Sequence, residues 1–425
     1  MPITSRSIGG GLQGKKWRHH VYREVANSVK LAFIINRYYP FGGLEKNFLR
    51  IALACRDRGH VVQVLTMSWE GERPEGISVL LLPGHGLSNH GRGRSFVQHW
   101  QKEAEQGNFD LIIGFHRMPG LDLYYAADVC YVIDMMRRRS PLARMTPRYR
   151  VYSAFEKAVF GAQSKTHIMV LSEAEKKNYQ AVYGTKEERF HFLPPGIDKE
   201  KIHADATPNA RAEIRHELGV REDQFLLLMI GSDFERKGVA RSLRAFSSLP
   251  EELRTRCRLC VIGKGKTRRF VRLAERLRLG RQVVFPGARF DVPRYLAAAD
   301  LLLHPAVSEN TGNVILEAMV AGLPIMASGI CGYSFHVQQA QAGLVLDEPF
   351  IQHKMNQGLS FLLQSRDLAS FGERGRLYAE SADLSSRPTA AVKIIEDLAA
   401  HRAKAEGRNV PGCSVSGGQS AGEYC

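Results

Sequence analysis

What the sequence lacks narrows it first. No apolar run in its 425 residues approaches the ~18 needed to cross a bilayer. The opening stretch carries Gly9-Gly10-Gly11 and Lys15-Lys16 but no apolar segment of a secretory signal, so residues 1–29 read as a disordered basic leader. The seven cysteines are odd in number and scattered, which excludes a disulfide framework and fits a reducing, cytoplasmic compartment. Cys257 and Cys260 form a C-x-x-C inside an apolar strand, with no second pair to complete a metal site. Neither Asp-x-Asp nor the dinucleotide fingerprint G-x-G-x-x-G occurs. Acids are scarce: 43 Asp and Glu face 59 Lys and Arg, a net charge of +16 that asks for an anionic partner.

What is present is an alternation of short apolar strands with helical segments. Leu31–Asn36, Val61–Thr66, Asp110–Phe115, Asp128–Val132 and Thr166–Leu171 read as strands. Ser172-Glu173-Ala174-Glu175 reads as a capping box opening a helix. Leu193-Pro194-Pro195-Gly196 then interrupts the chain, and the alternation restarts with Phe225–Ile230, Leu259–Ile262, Gln282–Phe285, Ala299–His304, Pro324–Ala327 and Gly343–Leu346. Such spacing predicts parallel sheets covered by helices, and two runs split by a Pro-Pro-Gly hinge predict two doubly wound α/β domains. The expected divisions are 30–196, 197–385, a helix over 386–406, and a disordered Gly/Ser-rich tail over 407–425.

Doubly wound sheets bind ligands beyond the carboxyl ends of their strands, and four constellations fall there. The strongest runs from His304 through Glu309 and Gly312 to Glu317. A helix beginning near Gly312 offers the free N–H groups of Asn313 and Val314 to a diphosphate, and Gly312 has no Cβ to obstruct the approach. Glu317, one turn in, leans back toward the same helix tip, so two carboxylates share one pocket and can accept from sugar or ribose hydroxyls. After the strand Phe225–Ile230, Arg236 and Lys237 can grip a diphosphate and neutralise its departure. Gly42 and Gly43 after the first strand allow close backbone approach, or simply make a tight turn. Asp128 can face the cleft or cap a buried turn, and His90 and Arg92 can bind an acceptor or belong to a polar loop.

Glu309-x7-Glu317 behind an apolar strand, with Arg236-Lys237-Gly238 and Gly42-Gly43, resembles the retaining GT-B glycosyltransferases of family 4. Tyr39–Gly43, Ser68–Gly71, Asn89–Arg92, Met118–Asp122, Ala126–Tyr131, Leu193–Ile197 and Gly231–Phe234 are similar to the lipopolysaccharide-core branch of that family, over residues 31–400. The resemblance implies two Rossmann-like domains facing across a cleft, acceptor side first and nucleotide-sugar side second. It implies UDP-glucose as donor and heptosylated lipid A core as acceptor; without an Asp-x-Asp to hold a divalent ion, arginine, lysine and the helix tip are expected to handle the phosphates, with neither cofactor nor metal. Glu309 would hold the donor sugar and Glu317 the ribose, with Arg236, Lys237, Gly312, Asn313 and Val314 on the diphosphate. Gly42 and Gly43 would close from the other domain, with Asp128 beside the transferred sugar. Retention in this family is explained by same-face attack, the leaving phosphate taking the acceptor proton. One departure stands out: Asn310-Thr311-Gly312-Asn313 replaces small or apolar residues of the close relatives, which leaves the choice of hexose open.

Part of the charge lies between 134 and 157, a basic run in which Arg137-Arg138-Arg139, Arg144, Arg148, Arg150 and Lys157 are interleaved with Met135, Met136, Leu142, Met145, Tyr149, Tyr152 and Phe155. That mixture suits a segment lying on an anionic membrane, here the inner face of the cytoplasmic membrane, or a solvated helix packed on its own domain. A nucleic-acid partner is disfavoured by the lack of a recognition module. A Rossmann oxidoreductase is disfavoured by the missing glycine fingerprint.

Overall fold

The computed structural model describes residues 28–407 except 41 and 139. The leader up to residue 27, the tail from 408, Phe41 of the first glycine turn and Arg139 of the basic run lie outside the described residues.

Among the described residues, thirteen strands form two wholly parallel sheets. The first holds β1 (Lys30–Ile34), β2 (Val61–Thr66), β3 (Ile77–Leu81), β4 (Leu111–Gly114), β5 (Leu123–Ala126), β6 (His167–Val170) and β7 (Phe190–Phe192), in the order β3-β2-β1-β4-β5-β6-β7. The second holds β8 (Phe225–Ile230), β9 (Cys257–Ile262), β10 (Val283–Gly287), β11 (Leu301–His304), β12 (Ile325–Ser328) and β13 (Gly343–Leu346), in the order β10-β9-β8-β11-β12-β13. Strand order reverses at β1/β4 and at β8/β11. Those reversals open the crevices in which such sheets hold ligands.

The strands read as unbroken apolar runs because helices cover both faces. Leu226 and Leu228 of β8 pack with Leu302 on one side, and Leu227 and Met229 with Leu301 and Leu303 on the other. In the first sheet Phe33, Phe48, Phe115 and Tyr125 fill one face, and Trp100, Tyr124, Phe160 and Tyr179 the other. The two doubly wound sheets expected from the alternation are therefore present.

The strand expected at Asp128–Val132 is not. The strand is Leu123–Ala126, Asp128 lies in the following loop, and Tyr131–Arg138 is helical. The cause is distant in sequence. The Glu156 carboxylate accepts from the N–H groups of Tyr131 and Val132 at 2.7 and 3.1 Å, and Glu175 accepts from Cys130 N–H at 2.7 Å. Carboxylates at those free donors favour a helix start. Ser172 accepts from Glu175 N–H at 3.2 Å, but with the Glu175 carboxylate spent on Cys130 the capping box is half formed. The edge strands Ile77–Leu81 and Phe190–Phe192 were not among the expected ones.

Arg387 pins the crossing back to the first sheet. It is 1% exposed and donates to Pro194 O at 2.9 Å, to Tyr125 OH at 3.2 Å and to Tyr333 OH. A Cβ on Gly196 would lie 2.8 Å from Arg387 Cβ, so only glycine lets the hinge pass there. The helix Arg387–Ala405 then buries Ala391, Val392, Ile395 and Ala399 in the first core.

Candidate active site

In the second sheet the loops after β8 and β11 meet. Arg236 Nη1 lies 3.2 Å from Glu309 Oε2 and donates to Ser308 O at 3.1 Å, while Lys237 Nζ bonds the same Glu309 oxygen. Gly238 (φ +78°) makes this possible: a Cβ there would strike Pro305 O at 1.9 Å. Burial works against the Glu309 charge, yet Lys237 and Arg236 hold its carboxyl well below the usual range. His304 Nε2 stands 3.7 Å from Glu309 Oε2. Burial, aided by Lys237, pushes the His304 imidazole down to about 4, so it is neutral at physiological pH.

Gly312 adopts φ +83° at the N-cap of the helix Asn313–Val320, and a Cβ there would come within 3.4 Å of His304 Nε2. Gly312, His304, Glu309, Arg236 and Lys237 thus share one region, beneath the unpaired N–H groups of a helix tip. Glu317, one turn along, has its carboxyl raised by burial against the opposing pull of Lys46 and Lys237. Lys46 belongs to the other sheet's first helix, Gly43–Asp57, so Glu317 faces the cleft.

The first sheet answers from across the cleft. Asp128 Oδ2 lies 3.3 Å from Arg117 Nη2, and the Asp128 side chain stays 54% exposed. Desolvation raises its pKa, but Arg117 and His116 together bring it below the ordinary range, and Arg236 of the second sheet adds to them. Gly42 caps the helix Gly43–Asp57, and a Cβ on it would lie 1.6 Å from Glu45 Oε2, whereas Gly43 has open space. The Glu45 carboxyl is raised, first by burial, and also feels Asp128. Asn310 ties the halves together: its Nδ2 donates to Ala126 O at 2.9 Å and to Ala127 O at 3.0 Å.

Glu309, Arg236, Lys237, Gly312, Asn313, Val314, Glu317 and Asp128 therefore border one cleft, with Gly42 and Gly43 leading into the helix that supplies Lys46. His90 and Arg92 bond locally, His90 Nε2 to Ser88 Oγ at 3.1 Å and Arg92 Nε to Gly86 O at 3.0 Å, in the loop and helix after the edge strand β3. Sequence reasoning missed Arg117, Glu45, Lys46 and Asn310. Arg117 was within reach, because it follows β4 and so sits at a strand-order reversal. Glu45 and Lys46 had no signal beyond following the glycine pair.

The two parallel sheets present their strand-order reversals to one cleft, bordered by paired cations and carboxylates. Residues 41–201 match the family Glycosyltransferase Family 4, and residues 210–378 match Glycosyl transferases group 1. The lipopolysaccharide glucosyltransferase WaaG of Escherichia coli (strain K12) is 43% identical over 366 residues, covering 86% of this chain and 98% of that protein. A D-inositol 3-phosphate glycosyltransferase of Stackebrandtia nassauensis is 24% identical over 339 residues, 72% of this chain and 75% of that one. The crystal structure of WaaG superposes with a TM-score of 0.82, covering 86% of this chain and 99% of that one. Anabaena Alr3699/HepE in complex with UDP and glucose shares the fold at 20% identity, with a TM-score of 0.66 over 88% of this chain and 100% of that one. The chain belongs to the family 4 glycosyltransferases, and its activity is sugar transfer.

Proposed function

We propose that the protein transfers glucose from UDP-glucose to the inner-core heptose of lipopolysaccharide, with retention of anomeric configuration and without a divalent ion. The observation that carries this reading is the Arg236–Glu309–Lys237 cluster beneath the helix tip at Gly312, at the strand-order reversal of the second sheet. WaaG, a lipopolysaccharide glucosyltransferase by name, supports glucose as the sugar moved and lipopolysaccharide as the acceptor class, and a fold neighbour holds UDP and glucose.

The residues divide the work by charge. Glu309, held ionised, accepts from hydroxyls of the donor sugar. Glu317 does the same for the ribose. Arg236 and Lys237 carry five and three donors, more than one carboxylate consumes, so they also serve the diphosphate. As the sugar–phosphate bond breaks, negative charge grows on the leaving phosphate. The guanidinium, the ammonium and the N–H groups of Asn313 and Val314 stabilise it where it develops, which is the role a metal plays elsewhere. The acceptor hydroxyl enters on the same face, and its proton passes to that phosphate. Asp128, kept anionic by Arg117, lies opposite, where positive character develops on the sugar.

The acceptor is borne on a lipid, and residues 134–157 supply a surface for it. Leu142 and Met145 are 73% and 69% exposed beside Arg144 and Arg148. No helix among the described residues is long and apolar enough to cross a membrane. Attachment is therefore proposed as peripheral, on the cytoplasmic face. A thermal-shift panel tests the donor: UDP and UDP-glucose should raise Tm, with and without a chelator, and NAD should not. Stabilisation by NAD alone would overturn the reading.

A further inference from the structure

A second concentration of charge lies in the donor-side unit, and the site does not use it. From Lys264 to Arg281 every charged residue except Glu275 is cationic. Within this stretch the helix Arg268–Arg276 buries Phe270 and Ala274 against the sheet and exposes Arg268, Arg272 and Arg276. Those three are spaced i, i+4, i+8 and so form one stripe. Arg269, beside them, pairs with Glu235, but Arg268, Arg272 and Arg276 make no hydrogen bond or ion pair among the described residues. Arg211, Arg215, Arg289, Arg294 and Arg376, by contrast, each have an acidic partner.

Like charges at i,i+4 oppose helix formation, and solubility alone would be served by alternating signs. The guanidinium also points to phosphate, which it can bind through two parallel N–H donors. The stripe begins at the cleft: Lys264 Nζ lies 5.7 Å from the centre of the Tyr39 ring on the opposite unit, and Glu235 belongs to the loop that carries Arg236.

Its side of the molecule matters as well. The returning C-terminal segment packs Ala379 and Leu384 on one face of the second sheet, while Phe270 and Ala274 pack on the other. In the first sheet, likewise, Ala391 and Ile395 cover one face, and Val159 and Phe160 of the basic helix Pro147–Phe160 cover the other. Each unit thus carries a basic helix on the face opposite the one that Ala379 and Leu384, or Ala391 and Ile395, cover; in the second unit the helix Gln352–Gln364 shares that face through Met355 and Leu359.

We propose that the arginine stripe of the helix Arg268–Arg276 is a second docking surface for an anionic phospholipid bilayer, so that the donor-binding unit and the acceptor-binding unit touch the membrane together. The inference rests on the lipid-borne acceptor proposed above. With both units held at the surface, the cleft mouth is presented to the bilayer from which the acceptor enters.

Flotation of the full chain with vesicles of phosphatidylcholine and phosphatidylglycerol, against phosphatidylcholine alone, tests it. The triple variant Arg268→Gln, Arg272→Gln, Arg276→Gln should lose affinity for the anionic vesicles by about tenfold or more, since each cation near such a surface contributes separately. Its turnover on a deacylated, water-soluble acceptor should stay within about twofold of the parent, because none of the three lines the site. That second arm separates this inference from the transferase reading: parental turnover with parental flotation overturns the docking surface and leaves the transferase standing. A matching fall in soluble-acceptor turnover would place the stripe in substrate binding and overturn membrane docking. So would a variant that keeps vesicle binding while losing affinity for random duplex DNA.

Discussion

The placement of Glu309 and Gly312 beside one helix tip was legible in the sequence because it depends on near neighbours: an apolar strand before them, a helix after, and a residue without a Cβ between. Their neighbour Asn310 was not. Its side chain acts on Ala126 O and Ala127 O, more than 180 positions away, and nothing in a linear pattern marks such a bond. It is 3% exposed and spans the cleft immediately beside Glu309 and two residues from Asp128. Replacing the amide by a carboxylate sets a negative oxygen against two carbonyl oxygens. Asn310→Asp should therefore lower kcat by about tenfold to a hundredfold, on the 1–3 kcal/mol scale of a lost buried donor. UDP affinity should change little, since the proposed diphosphate and ribose contacts, Arg236, Lys237, Gly312 and Glu317, belong to the second unit. Steady-state kinetics alongside UDP calorimetry check it, and an unchanged kcat would show that the cleft does not need this tie.

The segment following β5 shows where reading by elements stops. Val129-Cys130-Tyr131-Val132 has the β-branched and aromatic content of a strand, yet it leads into the helix Tyr131–Arg138. Glu156 and Glu175, from two later helices, collect its free N–H groups, and propensity yields to that tertiary demand. Glu156 is fully buried, also accepts from Tyr183 OH at 2.7 Å, and pairs with the Arg117 that holds Asp128. The basic helix proposed to meet the membrane on its outside thus fixes a cleft carboxylate from its inside. Glu156→Gln keeps the shape but leaves Arg117 without its buried counter-charge. Stability should fall by about 3–5 kcal/mol, the cost of breaking such a pair from one side, and turnover should fall further than UDP binding. Denaturant unfolding and kinetics at a temperature where the variant stays folded measure the two effects. A variant as stable as the parent would show that the network around Glu156 does not hold this corner together.

At the scale of the molecule, the division into two wound sheets was readable because each strand is a continuous apolar run buried on both faces, and because Pro194-Pro195-Gly196 breaks the rhythm between them. How the sheets face one another was not readable: Arg387, Asn310 and the coupling of Lys46 to Glu317 are all long-range. Under the function proposed above, this apposition places a donor sugar on Glu309, between cations that stabilise its leaving group. The most direct measurement is transfer of radiolabelled glucose from UDP-glucose to purified heptose-terminated lipopolysaccharide by the Glu309→Gln variant. Gln keeps the shape but removes the charge that accepts from sugar hydroxyls, so turnover should fall at least about a hundredfold, with a native circular dichroism spectrum and UDP still bound. Transfer at the parental rate by the folded variant would contradict the account.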